Sequence, residues 1–242
     1  MLSVDNISVR RGQEVMLQDI SLTLAPRSTL AVVGESGAGK STLIGAILGL
    51  IPCSLGQIVW QGLPVRQCRP SLVMQEPRSA FNPRLSLYRS VLEPLSANGK
   101  KINEHQLNRL CEGLEIPPDL LQRRPSEVSI GQAQRVGILR ALIAESPLVL
   151  FDEPLSALDA VTQKHTARLI AELQSREGFA ALIVTHDLGY AAAFADDIAV
   201  LHAGCIEELT PAETFVENPI SDYGHRIRDA AFALGALELV GK

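Results

Sequence analysis

The sequence predicts an α/β fold organised on a largely parallel sheet. Three observations carry this. Leu30–Val33 and Leu148–Phe151 are short, wholly apolar runs, as strands buried on both faces must be. Helical patterns follow such runs, at Leu43 to Ile51, 160–175 and 187–195. Strand and helix then alternate through most of the chain, which is the order that gives parallel sheets. At 242 residues there is enough chain for a substantial core, and 46% hydrophobic residues argue against disorder.

Taken in order, residues 2–9 and 20–24 alternate apolar and polar side chains and read as strands with one wet face, turning at Gly12. The run 30–33 ends in Gly34-Glu35-Ser36-Gly37-Ala38-Gly39-Lys40-Ser41-Thr42, and a helix follows until Pro52–Gly56 breaks it. Residues 57–60 and 71–74 read as further strands around a turn at Gly62. From 76 to 146 the texture becomes polar, helical and proline-broken, as in an inserted helical subdomain, and 132–144 is its strongest amphipathic helix. Residues 148–151 return to a buried strand, 179–184 form another, and 197–201 with 204–209 form a hairpin through Ala203-Gly204. This divides one domain into a core of 1–75 and 147–214, a helical subdomain of 76–146, and a helical tail of 215–242.

Composition removes several functions. A formal net charge of −5 gives no electrostatic footprint for nucleic acid, and 4% aromatic residues cannot build a stacking platform for single strands. No apolar run reaches the roughly 18 residues of a membrane span. MLSVDNISVRRG lacks a basic stretch followed by an apolar core, so no secretory leader is expected. Cys53, Cys68, Cys111 and Cys205 form no CxxC pair, and the histidines at 105, 165, 186, 202 and 225 form no metal-ligating pair.

Gly34 to Ser41 fits G-x-x-x-x-G-K-[ST] between a buried strand and a helix, the context in which that pattern cradles phosphate. Inward backbone N–H groups and the helix N-terminus form an anion site. Lys40 would reach the outer phosphates and the Ser41 hydroxyl would ligate Mg²⁺. Asp152 and Glu153 close the strand 148–151 at its carboxyl end, where open α/β sheets bind ligands. Asp152 would hold Mg²⁺ through water, and Glu153 would polarise an attacking water.

With these residues in place, the chain resembles the ATP-binding subunits of ABC transporters over nearly its whole length. Gln75 matches the glutamine loop, which touches Mg²⁺ and water. Val128-Ser129-Ile130-Gly131-Gln132 matches the signature that contacts the γ-phosphate of ATP held by the opposing subunit. Ser156-Ala157-Leu158-Asp159 matches the loop crossing the dimer interface, and His186 matches the switch histidine. The resemblance implies a P-loop NTPase with a RecA-like core, an N-terminal antiparallel β subdomain and the inserted helical subdomain. It implies ATP and Mg²⁺ as ligands. Lys40, Gln75, Glu153 and His186 would be catalytic, and Ser41, Gln75 and Asp152 would hold the metal. The cradle 34–42 with Ser129, Gly131 and Gln132 would bind nucleotide.

Two positions depart from the family pattern. Ile130 stands where glycine is usual, and a β-branched residue would resist positive φ and crowd the phosphate. A weakened signature is expected, damaging the site built on the partner's phosphate loop. Arg11 stands where an aromatic residue usually stacks on adenine; its guanidinium can also stack, with Met16 adding apolar contact.

The stretch Met74-Gln75-Glu76-Pro77-Arg78-Ser79-Ala80-Phe81-Asn82-Pro83 and the ending Asn218-Pro219-Ile220-Ser221-Asp222-Tyr223 resemble the peptide and nickel uptake branch. Arg-Ser-Ala-Phe-Asn-Pro points first to nickel or a metal–chelate as cargo, with di- or oligopeptide as the alternative. The implied partners are a second, different ATP-binding subunit, two transmembrane permeases and, indirectly, an external binding protein. The implied place is peripheral, on the cytoplasmic face of the inner membrane. A soluble ABC ATPase of repair or translation usually needs a coiled-coil insertion or a second ATPase half, a non-hydrolysing regulatory subunit sits poorly with Glu153 and His186, and a small-molecule P-loop kinase would need no signature.

Overall fold

The computed structural model describes residues 1–237. Strands β1 (Leu2–Arg11) and β2 (Glu14–Leu24) are antiparallel, and β1 also pairs antiparallel with β4 (Leu55–Trp60), which continues into the short β5 (Leu63–Pro64). The result is a four-stranded sheet in the order β2-β1-β4-β5. Simple alternation does not hold along it. Leu2 and Val4 face inward, then Ile7 and Val9, because the register shifts around Asn6, whose φ is +47°. One extra residue reverses the parity of every later side chain. Asp19, at φ +50°, sits at a second such change in β2, between buried Leu17 and Ile20.

The second sheet has six strands in the order β10-β9-β3-β8-β7-β6. Here β3 is Thr29–Val33, β6 Ser71–Val73, β7 Leu148–Asp152, β8 Ala180–Thr185, β9 Asp197–His202 and β10 Cys205–Pro211. All neighbours are parallel except β10, which returns antiparallel along β9 through Ala203-Gly204. The period of two along the strands sorts the core. Leu148 and Leu150 face a cluster with Leu43, Ile44 and Ile47 of α1 (Lys40–Ile47) and the inner face of the antiparallel sheet. Val149 and Phe151 face the opposite cluster, with α4 (Ile130–Ile143) and α5 (Ala160–Glu177).

Between β6 and β7 lie α2 (Leu87–Ala97), α3 (Glu104–Gly113) and α4, joined by 3₁₀ turns. Their buried leucines belong to the same cluster as Val149 and Phe151, so the helical region shares a core with one sheet face. After β8 comes α6 (Leu188–Phe194), then β9 and β10, α7 (Ala212–Glu217) and α8 (Asp222–Ala233). They cover Ala31, Val33, Ile198 and Val200. The expected tail boundary at 214/215 falls inside α7, and its last residues, 238–242, lie outside the described residues.

The helix after the phosphate loop also differs from the expected span. It begins at Lys40, inside the glycine-rich motif, and ends at Ile47. Gly49, at φ +70°, turns the chain back, and its N–H bonds the Ala46 carbonyl at 2.9 Å. The apolar run to Ile51 reflects core packing beyond the helix, since Ile51 packs on the same cluster.

Candidate active site

Register alone brings the distant motifs together. Val33 pairs with Thr185 across β3–β8, which sets the start of the glycine-rich loop beside His186. Asp152 pairs with Val184 across β7–β8, which sets Glu153 beside Thr185. Val73 pairs with Phe151 across β6–β7, so Gln75 and Glu153, each two residues further on, emerge level. All four segments therefore leave the carboxyl ends of adjacent parallel strands, the edge where such sheets bind ligands.

A cavity of about 500 Å³ lies there, lined by Met16, Ser36, Gly37, Gly39, Lys40, Ser41, Thr42, Gln75, Glu153 and His186. The loop presses so closely on the hairpin β9–β10 that a Cβ on Gly34 would overlap the Leu201 carbonyl oxygen. Gly39, the N-cap of α1, sits at φ +110°, and a Cβ there would lie 2.7 Å from Leu17 Cδ2. A side chain at either position would push the loop off its supports.

Lys40 is only 8% exposed, so its ammonium needs partners. It donates to the carbonyls of Gly34 at 2.8 Å and Glu35 at 3.0 Å, and lies 3.6 Å from Glu153 Oε1. The other carboxylate oxygen of Glu153, Oε2, is 2.8 Å from His186 Nδ1 and accepts from the Thr185 hydroxyl at 3.4 Å. A carboxylate can only accept, so Nδ1 carries the hydrogen in this pair. Glu153 is held in the left-handed region at φ +46° while its N–H bonds the Val184 carbonyl at 3.0 Å. A non-glycine residue there costs about 1–3 kcal/mol, and such strain tends to collect at functional positions.

Beside it, the Ser41 hydroxyl donates to Asp152 Oδ1 at 3.4 Å. Burial and the adjacent Glu153 push the Asp152 carboxyl up from its ordinary range, while Ser41 and Lys40 oppose that shift. The hydroxyl of Ser41, the carboxylate of Asp152 and the amide of Gln75 are all hard oxygen donors. That is the donor chemistry Mg²⁺ selects, so these residues fit that ion. The glycine-backed loop with a buried ammonium fits a polyphosphate.

The remaining candidates lie elsewhere. Ser129 caps α4 in a reciprocal box: Gln132 N–H donates to Ser129 Oγ at 3.1 Å, and Ser129 N–H donates to Gln132 Oε1 at 2.9 Å. Ser129, Ile130, Gly131 and Gln132 do not line the cavity, and the first two are exposed. The backbone strain expected at Ile130 is absent: the residue opens α4 with helical φ and ψ, a position any residue tolerates. Its side chain is 43% exposed, so apolar bulk is what distinguishes this helix start. Arg11 is exposed at the end of β1 and is not among the cavity residues, whereas Met16 is. Sequence reasoning gave no role to Thr185, whose buried hydroxyl reaches Glu153. The available signal was a hydroxyl residue ending an otherwise apolar strand directly before a histidine.

The protein-family model described as "ABC transporter" matches residues 17–156. The oligopeptide transport ATP-binding protein OppF of Escherichia coli (strain K12) is 32% identical over 225 residues, covering 87% of this chain and 67% of that protein. The probable peptide ABC transporter ATP-binding protein y4tS of Sinorhizobium fredii (strain NBRC 101917 / NGR234) is 34% identical over 240 residues, covering 93% and 67%. A solved ATP binding subunit of an ABC transporter superposes with a TM-score of 0.80 at 24% identity, covering 95% of this chain and 99% of that one.

Proposed function

This chain belongs to the ABC transporter family as an ATP-hydrolysing subunit, and from that premise we propose that it drives a di- or oligopeptide importer. The names of the similar proteins support the peptide alternative over nickel, the first expectation from the Arg-Ser-Ala-Phe-Asn-Pro run. The observation that carries the enzymatic reading is the meeting of Lys40 and His186 on the two oxygens of Glu153, beside the Ser41–Asp152 pair.

In this reading the loop 34–42 wraps the phosphates of ATP and Lys40 turns its ammonium to the outer ones. Mg²⁺, when bound, neutralises charge on the phosphate oxygens, and Ser41, Asp152 and Gln75 are the residues that would hold it. Glu153 accepts a proton from water as the water oxygen bonds to the terminal phosphorus and the bond to ADP breaks. His186 and Thr185 aim that carboxylate. His186 is itself exposed and free to turn to the terminal phosphate. Ser129, Gly131 and Gln132 face outward to meet a nucleotide on a second, different ATP-binding subunit. Two permeases and, indirectly, an external binding protein complete the transporter, with this chain peripheral at the cytoplasmic face of the inner membrane. Among the described residues no helix is long and apolar enough to cross a membrane, which suits peripheral attachment.

The test is to purify the intact membrane complex and measure ATPase stimulation by peptides and by nickel or metal–chelates, each delivered with the binding protein. Peptide stimulation is expected. Stimulation by the metal alone would return the reading to nickel.

A further inference from the structure

The ending Asn218–Tyr223 carries no role in the reaction as described, yet it is tied firmly to the sheet. Glu208, on β10, is buried and spends one carboxylate oxygen on the start of α8: Oε2 accepts from Ile220 N–H at 2.5 Å and from Ser221 N–H at 2.8 Å. Ser221 then caps α8 by accepting from Gly224 N–H at 2.8 Å. This anchor fixes where Tyr223 points. Its ring stacks on His202 with centroids 3.9 Å apart, Arg226 lies 5.3 Å over it, and the residue is only 6% exposed.

The Tyr223 hydroxyl is buried and, among the described residues, meets no partner at hydrogen-bonding geometry. Such a group costs about 1–3 kcal/mol, so a partner is called for. Glu35, the second residue of the phosphate loop, shares a cavity wall with Ile227, one turn after Tyr223 on α8, and burial with the Glu35 carboxylate pushes the phenol's pKa up. The rest of α8 follows the same line. Ile227, Ala230 and Ala231 border a cavity of about 410 Å³ with Gly34, Glu35 and His186. Just beyond, Gly189 packs so closely under the Ala236 carbonyl that no Cβ would fit. The tail thus touches both the phosphate loop and the segment after the switch histidine.

We propose that Tyr223 is a positioning residue for the phosphate loop: its hydroxyl bonds Glu35 when the loop orders around nucleotide, and so sets the loop that carries Lys40 and Ser41. The proposal rests on the nucleotide-binding reading of the cavity. Glu35 is exposed and able to turn, whereas Tyr223 is held by the stack and the Glu208 anchor. The tail therefore serves as the fixed side of the contact.

The test uses the full chain and a fluorescent ATP analogue with Mg²⁺. Tyr223→Phe keeps the stack on His202 and removes only the hydroxyl. It should not lower the melting temperature of the nucleotide-free chain, where the hydroxyl is unpaired, and should weaken nucleotide binding about three- to tenfold, the loss of one hydrogen bond. Glu35→Ala, which removes the acceptor where Gln would keep one, should weaken binding similarly, and the double variant should be no worse than either single, since both remove the same contact. Wild-type affinity in Tyr223→Phe, or additive losses in the double variant, would overturn the proposal. Lys40→Ala is the separating control: if it too binds like wild type, the nucleotide-binding reading itself fails.

Discussion

Replacing Lys40 by Ala tests whether the ion pair with Glu153 organises the site. The ammonium has three partners, the carbonyls of Gly34 and Glu35 and the Glu153 carboxylate, and it is almost fully buried. Truncation leaves Glu153, also buried, with His186 and Thr185 alone. Removing one member of a buried pair costs up to about 3–5 kcal/mol, chiefly from the stranded partner. The pair here is 3.6 Å apart and His186 remains to share the charge, so about 2–3 kcal/mol is the expectation. At roughly 2–4 °C per kcal/mol for a chain of this size, the melting temperature should fall by about 4–12 °C. The decisive arm is Lys40→Ala in a Glu153→Gln background, where the stranded charge is gone. There the loss should shrink by at least about 1 kcal/mol, a coupling typical of groups in contact. Denaturant titrations of the four proteins read this directly. Equal losses in both backgrounds would refute the reasoning.

Replacing Ile130 by Gly in a complex with an otherwise wild-type partner should raise turnover at the partner's site, since it removes exposed apolar bulk from the start of α4 and leaves the N–H groups in place; no change in rate argues against a role for the bulk. Asp159 caps α5, accepting from the Thr162 hydroxyl at 2.7 Å and from the N–H groups of Val161 and Thr162, and these bonds hold its carboxyl below the usual range. A depressed folded-state pKa adds stability that is present at neutral pH and lost as pH falls through that pKa. Asp159→Ala should therefore melt lower at pH 7 and converge on wild type in acid; a gap that persists there contradicts it. Phe151 is fully buried one residue before Asp152, 6.5 Å from the Phe179 ring. Phe151→Ala should cost about 3–5 kcal/mol by calorimetry and denaturant unfolding, and a cost below about 1 kcal/mol would show that the strand does not depend on this packing.

The site was legible because its chemistry is local and its placement follows from pairing. Glycine spacing around Lys40 and the carboxylates after Leu148–Phe151 need no tertiary knowledge, and parallel register then aligns their loops. What escaped depends on single-residue backbone events or long-range packing. The bulges at Asn6 and Asp19 reverse side-chain parity without any glycine or proline to mark them. The end of α1 was obscured because Ile51 is apolar for the core's sake. No strain arises at Ile130 because the capping box of Ser129 and Gln132 makes this segment a helix start, where helical φ and ψ suit any residue. Neither the Glu208 anchor nor the approach of Tyr223 to the phosphate loop has a spacing signal, since β10, the loop and α8 meet only in three dimensions.

The most direct trial is single-turnover hydrolysis by the assembled transporter carrying Glu153→Gln in this chain alone. ATP should still bind at Lys40, while the chemical step at this site slows by about 10²–10⁴, the contribution of a placed general base. Cleavage at an undiminished rate would mean that the proton goes elsewhere and that the carboxylate between Lys40 and His186 is not the group that activates water.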